Sequence, residues 1–225
     1  MEKETFSLIE QYMISCMDDS AHDKEHVYRV LYNALEIARS EKDVDYDILI
    51  TACLLHDIGR KEQFENPDIC HATAGADKAF HFLIHHDFDP DFAAQVKTCI
   101  QTHRFRKDRP PQSIEARILF DADKIDVAGA IGIARTLMYK GQMEGPLYSK
   151  TFSGQVSDGT NDLTTSFFQE YKYKLENLYD HFFTQKGAEI AQGRKSAAAA
   201  FYTSILQEVK SSYEHGVEEL EKQLY

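Results

Sequence analysis

The stretch TACLLHDIGR, residues 51–60, constrains the fold most, because an apolar helical run ends there in a histidine and an aspartate side by side. Apolar residues recur three and four positions apart up to Leu55, which is the spacing of a helix face that packs into a core. Gly59 follows at a place where a helix commonly stops in a left-handed turn. We therefore expect His56 and Asp57 to project from the end of a buried helix, where two polar groups need partners.

Helical spacing continues along most of the chain, and no alternating pattern is long enough for a sheet. We therefore expect an all-α fold. Pro110 and Pro111 interrupt the pattern, and Ser113 is a candidate N-cap for the helix that follows. The predicted helices cover about 23–39, 45–58, 71–86, 90–103, Ser113 to Ala134 or beyond, 166–182 and 187–222.

The segment 141–164 loses this periodicity, and its glycines and serines indicate a long loop. Loops of this length are usually functional lids or mobile segments, and both interpretations stay open. The chain has 225 residues and no linker-like composition, so we expect one domain over 1–225. Its core is predicted over about 20–135, with additional C-terminal helices over about 166–222.

Charge and cysteine usage limit the function classes. The formal net charge is −12, from 37 acidic and 25 basic residues, which disfavours attraction to nucleic acid polymers or anionic membranes. No apolar run reaches about 18 residues, and residues 1–30 lack an apolar signal core. The four cysteines form no C-x-x-C pair, so no zinc cage or disulfide framework is expected. We expect a cytoplasmic protein with a small-molecule ligand.

Several inward-facing or helix-terminal residues are of types that bind metals: His26, His56, Asp57, His71, His103 and an aspartate of the segment FDADKIDVAG. A lone histidine on an apolar face is more often a hydrogen-bonded core residue than a ligand. The adjacent His56 and Asp57 are stronger evidence, because neighbouring helical residues point about 100° apart and converge on one site only near a helix end.

Helical periodicity separates the three aspartates of that segment. Asp123 falls on an apolar row that continues to Val127, so we expect it to be buried, where a metal would compensate its charge. Asp121 lies one turn after Arg117, where an ordinary ion pair explains it at least as well. Asp126 lies on the same broad face as Asp123, and we expect it to support a ligand or to contact the substrate.

These residues, together with the segments HATAGADKA, CIQTHRFR and DADKIDVAGAIGIAR, resemble the HD superfamily of metal-dependent phosphohydrolases, whose pattern is H…HD…D on separate helices. The resemblance covers nearly the whole chain and extends to a bacterial subgroup similar to nucleotide pyrophosphohydrolases. It implies an HD-domain helical bundle and hydrolysis of (deoxy)nucleoside triphosphates to a monophosphate and pyrophosphate. The metal ligands that it implies are His26, His56, Asp57 and Asp123.

Two imidazoles and two carboxylates suit Mn²⁺, Fe²⁺ or Co²⁺ better than Mg²⁺, and we expect Mn²⁺, with Fe²⁺, Co²⁺ or Ni²⁺ as alternatives. Such an ion would lower the pKa of a water and polarise a phosphoryl oxygen. We expect Asp57 or a nearby carboxylate to accept the proton. Lys124 and then Arg60 are expected to stabilise the charge that develops on the phosphate oxygens.

The residues expected to contact the substrate are His71, His103, Asp126 and Arg104. Arg106 is close enough in sequence to reach the same pocket, although the segment RFRKDR is equally consistent with a solvated turn. HD relatives with two further histidines before the final aspartate often bind a second metal. Here Asp57 would hold it together with His71 and His103. We favour a single metal, with these two histidines contacting phosphate or capping the pocket.

Three other functions stay open at this point. The chain could be another phosphomonoesterase or phosphodiesterase of the superfamily, or a diiron oxygenase of the HD type. A nucleotide-binding regulator with a degenerate site is disfavoured, because every ligand of the basic HD pattern is present.

Overall fold

The structure, a computed structural model, describes residues 1–17, 24–104 and 109–224. Within these ranges the chain is helical, and a single antiparallel bridge between Lys150 and Val156 is the only strand-like pairing there. The prediction of an all-α fold is therefore confirmed. The α-helices are α1 (Lys3–Met17), α2 (Lys24–Ala38), α3 (Tyr46–Leu55), α4 (Arg60–Glu65), α5 (His71–His85), α6 (Pro90–Thr102), α7 (Ile114–Ile125), α8 (Gly129–Gln142), α9 (Phe167–Glu170) and α10 (Gln185–Gln223).

The chain divides into two compact units. The first unit consists of Met1–Asp126 and Phe182–Gly187, and it contains helices α1 to α7. The second unit consists of Val127–His181 and the chain from Ala188 onward. The expectation of one domain over the whole chain stays a prediction. No described helix combines the length and the apolar character that crossing a membrane requires.

Helix α3 is the centre of the first unit. It contacts α1, α2, α5, α6 and α7, and every residue from Ile48 to Leu55 except Ile50 is buried. A helix that is apolar on all sides is stable only inside a core. Asp45 caps its start by accepting hydrogen bonds from the N–H groups of Asp47 and Ile48. At the other end, the residues that follow α3 up to Gly59 are all buried, so the helix ends inside the unit.

The chain beyond α3 explains a glycine that the sequence pattern misassigned. The expected left-handed turn at Gly59 is wrong, because its φ is −95°. A Cβ at residue 59 would lie 2.3 Å from the carbonyl oxygen of His71 and 2.4 Å from the backbone nitrogen of Gly75. The glycine is needed because α5 passes directly against the chain there, which brings the start of α5 close to Asp57.

The helix predicted from Ser113 to Ala134 is in fact two helices. Ser113 caps α7 as expected, since its hydroxyl accepts from the N–H of Ala116. Helix α7 ends at Ile125, and α8 begins at Gly129, whose φ of +70° lies in the region that favours glycine. The break follows from this backbone conformation, which an L-residue with a side chain rarely adopts.

Other elements also differ from expectation. Helices α1 and α4 were not predicted, and the predicted helix over 166–182 is divided into α9, a π-helical turn at Tyr171–Leu175 and a 3-10 turn at Leu178–Asp180. The segment 141–164 contains little regular structure after α8, as expected. Its Asp162 carboxylate accepts hydrogen bonds from the hydroxyls of Ser149, Ser157 and Ser166, which tie the segment together.

Candidate metal centre

Five helices of the first unit bring the predicted ligands together. Five of the six side chains belong to residues that are at most 3% exposed, and the sixth, Asp123, has a side chain that is 23% exposed. The expectation that Asp123 is buried is therefore wrong, because its side chain is partly open to solvent. The positions are His26 in α2, His56 and Asp57 directly after α3, His71 at the start of α5, His103 directly after α6 and Asp123 in the last turn of α7.

His26, His56 and Asp123 form the first group. Nε2 of His26 lies 3.3 Å from Nε2 of His56 and 3.3 Å from Oδ1 of Asp123. Oδ2 of Asp57 is 3.6 Å from the same atom of His26 and 3.7 Å from that of His56. Nitrogen and oxygen ligands about 2.1 Å from a shared ion lie roughly 3.0 to 3.4 Å apart, so this spacing fits a metal site.

Asp57, His71 and His103 form the second group, whose ligand atoms also lie within 4.8 Å of one another. Oδ1 of Asp57 is 3.7 Å from Nε2 of His71 and 3.7 Å from Nε2 of His103. The other oxygen of this carboxylate faces the first group. Asp57 therefore lies between the two groups and offers one oxygen to each.

The imidazoles are oriented by their Nδ1 atoms, each of which lies against an oxygen. These oxygens are Oδ2 of Asp126 at 2.7 Å from His26, the carbonyl of Cys53 at 2.7 Å from His56, and the carbonyl of Ile100 at 2.6 Å from His103. Because carbonyl and carboxylate oxygens only accept, each Nδ1 carries a hydrogen and each Nε2 is the atom left for a metal.

His71 follows the same pattern through a side chain. Its Nδ1 lies 2.8 Å from Oε1 of Gln63 and 3.3 Å from Nη1 of Arg60, and the shorter contact assigns the hydrogen to Nδ1. Nε2 of His71 and Nε2 of His103 are buried and have no hydrogen-bond partner within the described ranges. Leaving such atoms unsatisfied is costly, so the second group fits a metal ion or a hydrogen-bond donor.

The surroundings of these histidines give them different pKa values. Burial lowers the pKa of His56 to about 4 and, with the nearby Arg60 charge, that of His71 to about 3. Both rings are therefore neutral near pH 7, which is the form that binds metals. Burial also acts to lower the pKa of His26, but hydrogen bonds with Asp123, Asp126 and Asp57 outweigh it and raise the pKa to about 10.

The Asp57 carboxylate is ionised. Burial acts to raise its pKa, but the Arg60 guanidinium and the His56 ring bring it well below the usual range. Nε of Arg60 donates to Oδ1 of Asp57 at 2.9 Å. An ionised carboxylate suits a metal ligand, whereas a low pKa makes it a weak base. The predicted role of Asp57 as proton acceptor stays a prediction.

Asp126 supports a ligand in this structure. It is 1% exposed, and its carboxylate accepts from Nδ1 of His26 and from Nε of Arg29 at 2.8 Å. Of the two roles expected for Asp126, the observed contacts show support of His26. Contact with a substrate stays a prediction.

Asp121 is the fully enclosed aspartate of α7, and the expected ion pair with Arg117 is wrong for the described residues. Its carboxylate accepts from the N–H groups of Phe183 and Thr184 and from the hydroxyl of Thr184. Burial raises its pKa. These contacts join α7 to the segment directly before α10, so Asp121 has a structural role in the first unit.

The predicted cationic residues occupy different surroundings. The Lys124 ammonium lies 5.3 Å from the ring centroid of Phe120 and 5.2 Å from that of Phe182, and burial lowers its pKa. Arg104 is exposed, and its Nη1 donates to Sγ of Cys70 at 4.0 Å. Arg106 lies outside the described residues. The substrate and catalytic roles of these cations stay predictions.

Two residues at the centre were missed from the sequence, Arg29 and Gln63. Arg29 lies three positions after His26, so helical spacing places it on the same face, and this signal could have identified it. Gln63 carries no such signal, because its link to His71 depends on how the chain turns between α3 and α5.

The family model of the HD domain matches residues 24–128 of this chain. The predicted HD superfamily hydrolase of an uncultured Thermotogales bacterium is 30% identical, with 92% of each chain covered and a TM-score of 0.58. YpgQ of Bacillus subtilis (strain 168) is 28% identical over 196 residues, which cover 85% of this chain and 86% of that protein. The crystal structure of Bacillus subtilis YpgQ in complex with ADP matches with 25% identity and a TM-score of 0.69, covering 91% of this chain and 97% of that one.

Proposed function

This chain belongs to the HD superfamily and has the fold of its hydrolases, and on that premise we propose that it is a metal-dependent phosphohydrolase that acts on nucleotides. The proposed reaction is hydrolysis of a (deoxy)nucleoside triphosphate to the monophosphate and pyrophosphate. The observation that carries the proposal is the convergence of two Nε2 atoms, from His26 and His56, with carboxylate oxygens of Asp57 and Asp123.

These four side chains would hold a divalent ion, for which we propose Mn²⁺ because the mixed nitrogen and oxygen donors suit it better than Mg²⁺. When bound, the ion would lower the pKa of a water and polarise a phosphoryl oxygen. The protein contributes a neutral, pre-oriented imidazole at His56, since its pKa is about 4 and its Nδ1 hydrogen is held by the Cys53 carbonyl.

The second group supports contact with the phosphates through Arg60, because its two histidines carry their hydrogen on Nδ1 and can only accept at Nε2. His71 and His103 direct two buried and unsatisfied Nε2 atoms toward Asp57, beside the guanidinium of Arg60. Phosphate oxygens that lie there would receive cationic help from Arg60. We propose that Lys124 and Arg104 extend this positive surrounding for the rest of the substrate.

The nucleotide is supported by a relative. YpgQ was crystallised in complex with ADP, and that structure matches 91% of this chain. A diphosphate nucleotide contains the phosphoanhydride and the base and sugar that the proposed substrate would present. We therefore propose a nucleotide rather than another phosphate ester as the substrate class.

A single ion per chain is the form that the contacts favour. Arg60 already donates to the Asp57 oxygen that faces the second group. A second ion would have to bind the same oxygen, next to the positive charge of the guanidinium. A second cation beside the guanidinium would be repelled.

The proposal is tested by assaying purified protein with Mn²⁺ against nucleoside mono-, di- and triphosphates, with pyrophosphate and orthophosphate separated by chromatography. We expect a monophosphate and pyrophosphate from a triphosphate, and no turnover by the His56→Ala variant. Orthophosphate alone would instead identify a nucleotidase or stepwise phosphatase. Absence of turnover of every nucleotide with Mn²⁺, Fe²⁺ and Co²⁺ would reject the proposal.

A second candidate, a diiron oxygenase, is favoured by one observation, which is that two groups of ligand atoms share the Asp57 carboxylate. It requires two iron ions per chain and consumption of oxygen. Iron content and an oxygen electrode therefore separate it from the phosphohydrolase, because hydrolysis consumes no oxygen.

A further inference from the structure

We propose that Arg29 is a positioning residue of the metal centre, which fixes the carboxylate of Asp126 so that Asp126 in turn fixes the ring of His26. The inference rests on the proposed function, because it assumes that His26 binds the metal. Nε of Arg29 donates to Oδ1 of Asp126 at 2.8 Å, and Nη2 donates to Oδ2 at 3.1 Å. Oδ2 also accepts from Nδ1 of His26 at 2.7 Å.

The bidentate contact between Arg29 and Asp126 fixes the orientation of the carboxylate plane. A guanidinium that binds both oxygens holds the carboxylate in its own plane, which a single contact does not do. Helices α2 and α7 pack against each other, so the contact also ties the helix that carries His26 to the residue that follows α7. The Arg29 side chain is 32% exposed, whereas that of Asp126 is 1% exposed.

The buried carboxylate of Asp126 controls the ring of His26 through its hydrogen bond with Nδ1. The hydrogen bond to Nδ1 sets both the tautomer and the direction in which Nε2 points, and outer partners of this kind typically change metal affinity or activity about 10- to 100-fold when removed. Without Arg29, the Asp126 carboxylate would keep its contact with His26 but lose its fixed orientation. The effect of Arg29 should therefore pass through Asp126.

The test measures the Mn²⁺ dissociation constant of chelator-treated protein by isothermal titration calorimetry, with circular dichroism to confirm the fold. We expect Asp126→Asn to weaken binding about 10- to 100-fold and Arg29→Gln to weaken it about 10-fold. In the double variant, Arg29→Gln should add little to Asp126→Asn, because the two residues act in series. Arg29→Lys should recover part of the loss, since an ammonium keeps the charge without the planar fork.

Arg39→Gln provides a matched control, because it removes the same charge from an exposed residue directly after α2. Its Mn²⁺ affinity should equal that of the wild type. Wild-type protein that binds no Mn²⁺ would overturn the proposed metal centre and this inference together. Tight wild-type binding that Arg29→Gln and Arg29→Lys leave unchanged would overturn this inference alone, and so would fully additive losses in the double variant.

Discussion

Arg60 and Asp57 form an ion pair through the carboxylate oxygen that faces the second group. Nε of Arg60 lies 2.9 Å from Oδ1 of Asp57, and the same oxygen is 3.7 Å from Nε2 of both His71 and His103. The first group, by contrast, faces Oδ2. The two halves of the centre thus differ in local charge, although both contain histidines and share one aspartate.

Arg60→Ala should raise the number of bound Mn²⁺ ions from one to two per chain. The substitution frees Oδ1 of Asp57 and removes the charge that repels a second cation. Metal content of dialysed protein by mass spectrometry checks this. Lys61→Ala, at the exposed neighbouring position, should leave one ion, and adding His103→Ala to Arg60→Ala should restore one. Two ions in the wild type would contradict the role given to Arg60.

His56→Ala and Asp57→Ala should each reduce nucleotide hydrolysis by more than about 100-fold, beyond the range typical of outer partners. His56 belongs to the first group, and Oδ2 of Asp57 lies beside it, 3.7 Å from Nε2 of His56. Steady-state rates at saturating Mn²⁺ provide the measurement. His85→Ala is the control, because His85 is exposed at the end of α5 and should keep full activity. A fully active His56→Ala protein would remove the site assignment.

Asp123→Asn and Asp121→Asn should have opposite effects. Asp123→Asn replaces a ligand and should abolish Mn²⁺ binding, and it also weakens the contact with His26 in the metal-free protein. Asp121→Asn leaves a buried N–H or hydroxyl near Thr184 without its acceptor, so the free energy of unfolding should fall by about 1 to 3 kcal/mol with Mn²⁺ affinity retained. Calorimetry and urea unfolding measure the two quantities. The reverse order would mean that the wrong aspartate has been assigned to the metal.

The metal-free protein should lose stability as the pH rises. The pKa of His26 is raised from 6.5 to about 10 in the folded chain, so the folded state holds a proton that the unfolded state has released in this range. Its contribution is therefore fully present below about pH 6.5 and is lost as the pH rises toward 10. Urea unfolding with a chelator at several pH values tests this. The decline should be smaller in Asp126→Asn, and a flat profile in the wild type would contradict the assignment.

The candidate metal ligands could be predicted because the information is local. Helical spacing places His26 on the inner face of α2, and the end of an apolar helix explains why His56 and Asp57 converge. The structure brings these three residues together with His71, His103 and Asp123 in the first unit.

Asp121 shows where the same reasoning fails. It lies on a second apolar row of α7, with Ile118 and Ile125, and both of these residues are fully buried. Because α7 is buried on more than one side, one row could not identify which aspartate is enclosed. The groups that satisfy Asp121 belong to Phe183 and Thr184, about sixty positions later, and no local pattern connects them.

The helix boundaries failed for a different reason. The apolar spacing of α7 and α8 is continuous enough to suggest one helix, whereas the chain breaks where Gly129 adopts a positive φ. A glycine in sequence permits that conformation but does not require it. Likewise, Gly59 was assigned to a turn, although its function is to admit the neighbouring backbone.

That close approach means that the separation between Asp57 and His71 depends on the main chain. With Cβ absent from residue 59, the start of α5 can lie against the segment that follows Asp57. A single methyl group there would force the two backbones apart while every imidazole and carboxylate remained in the sequence. A chain altered in this way would still match the H…HD…D pattern, yet its two groups of ligands could no longer share one carboxylate.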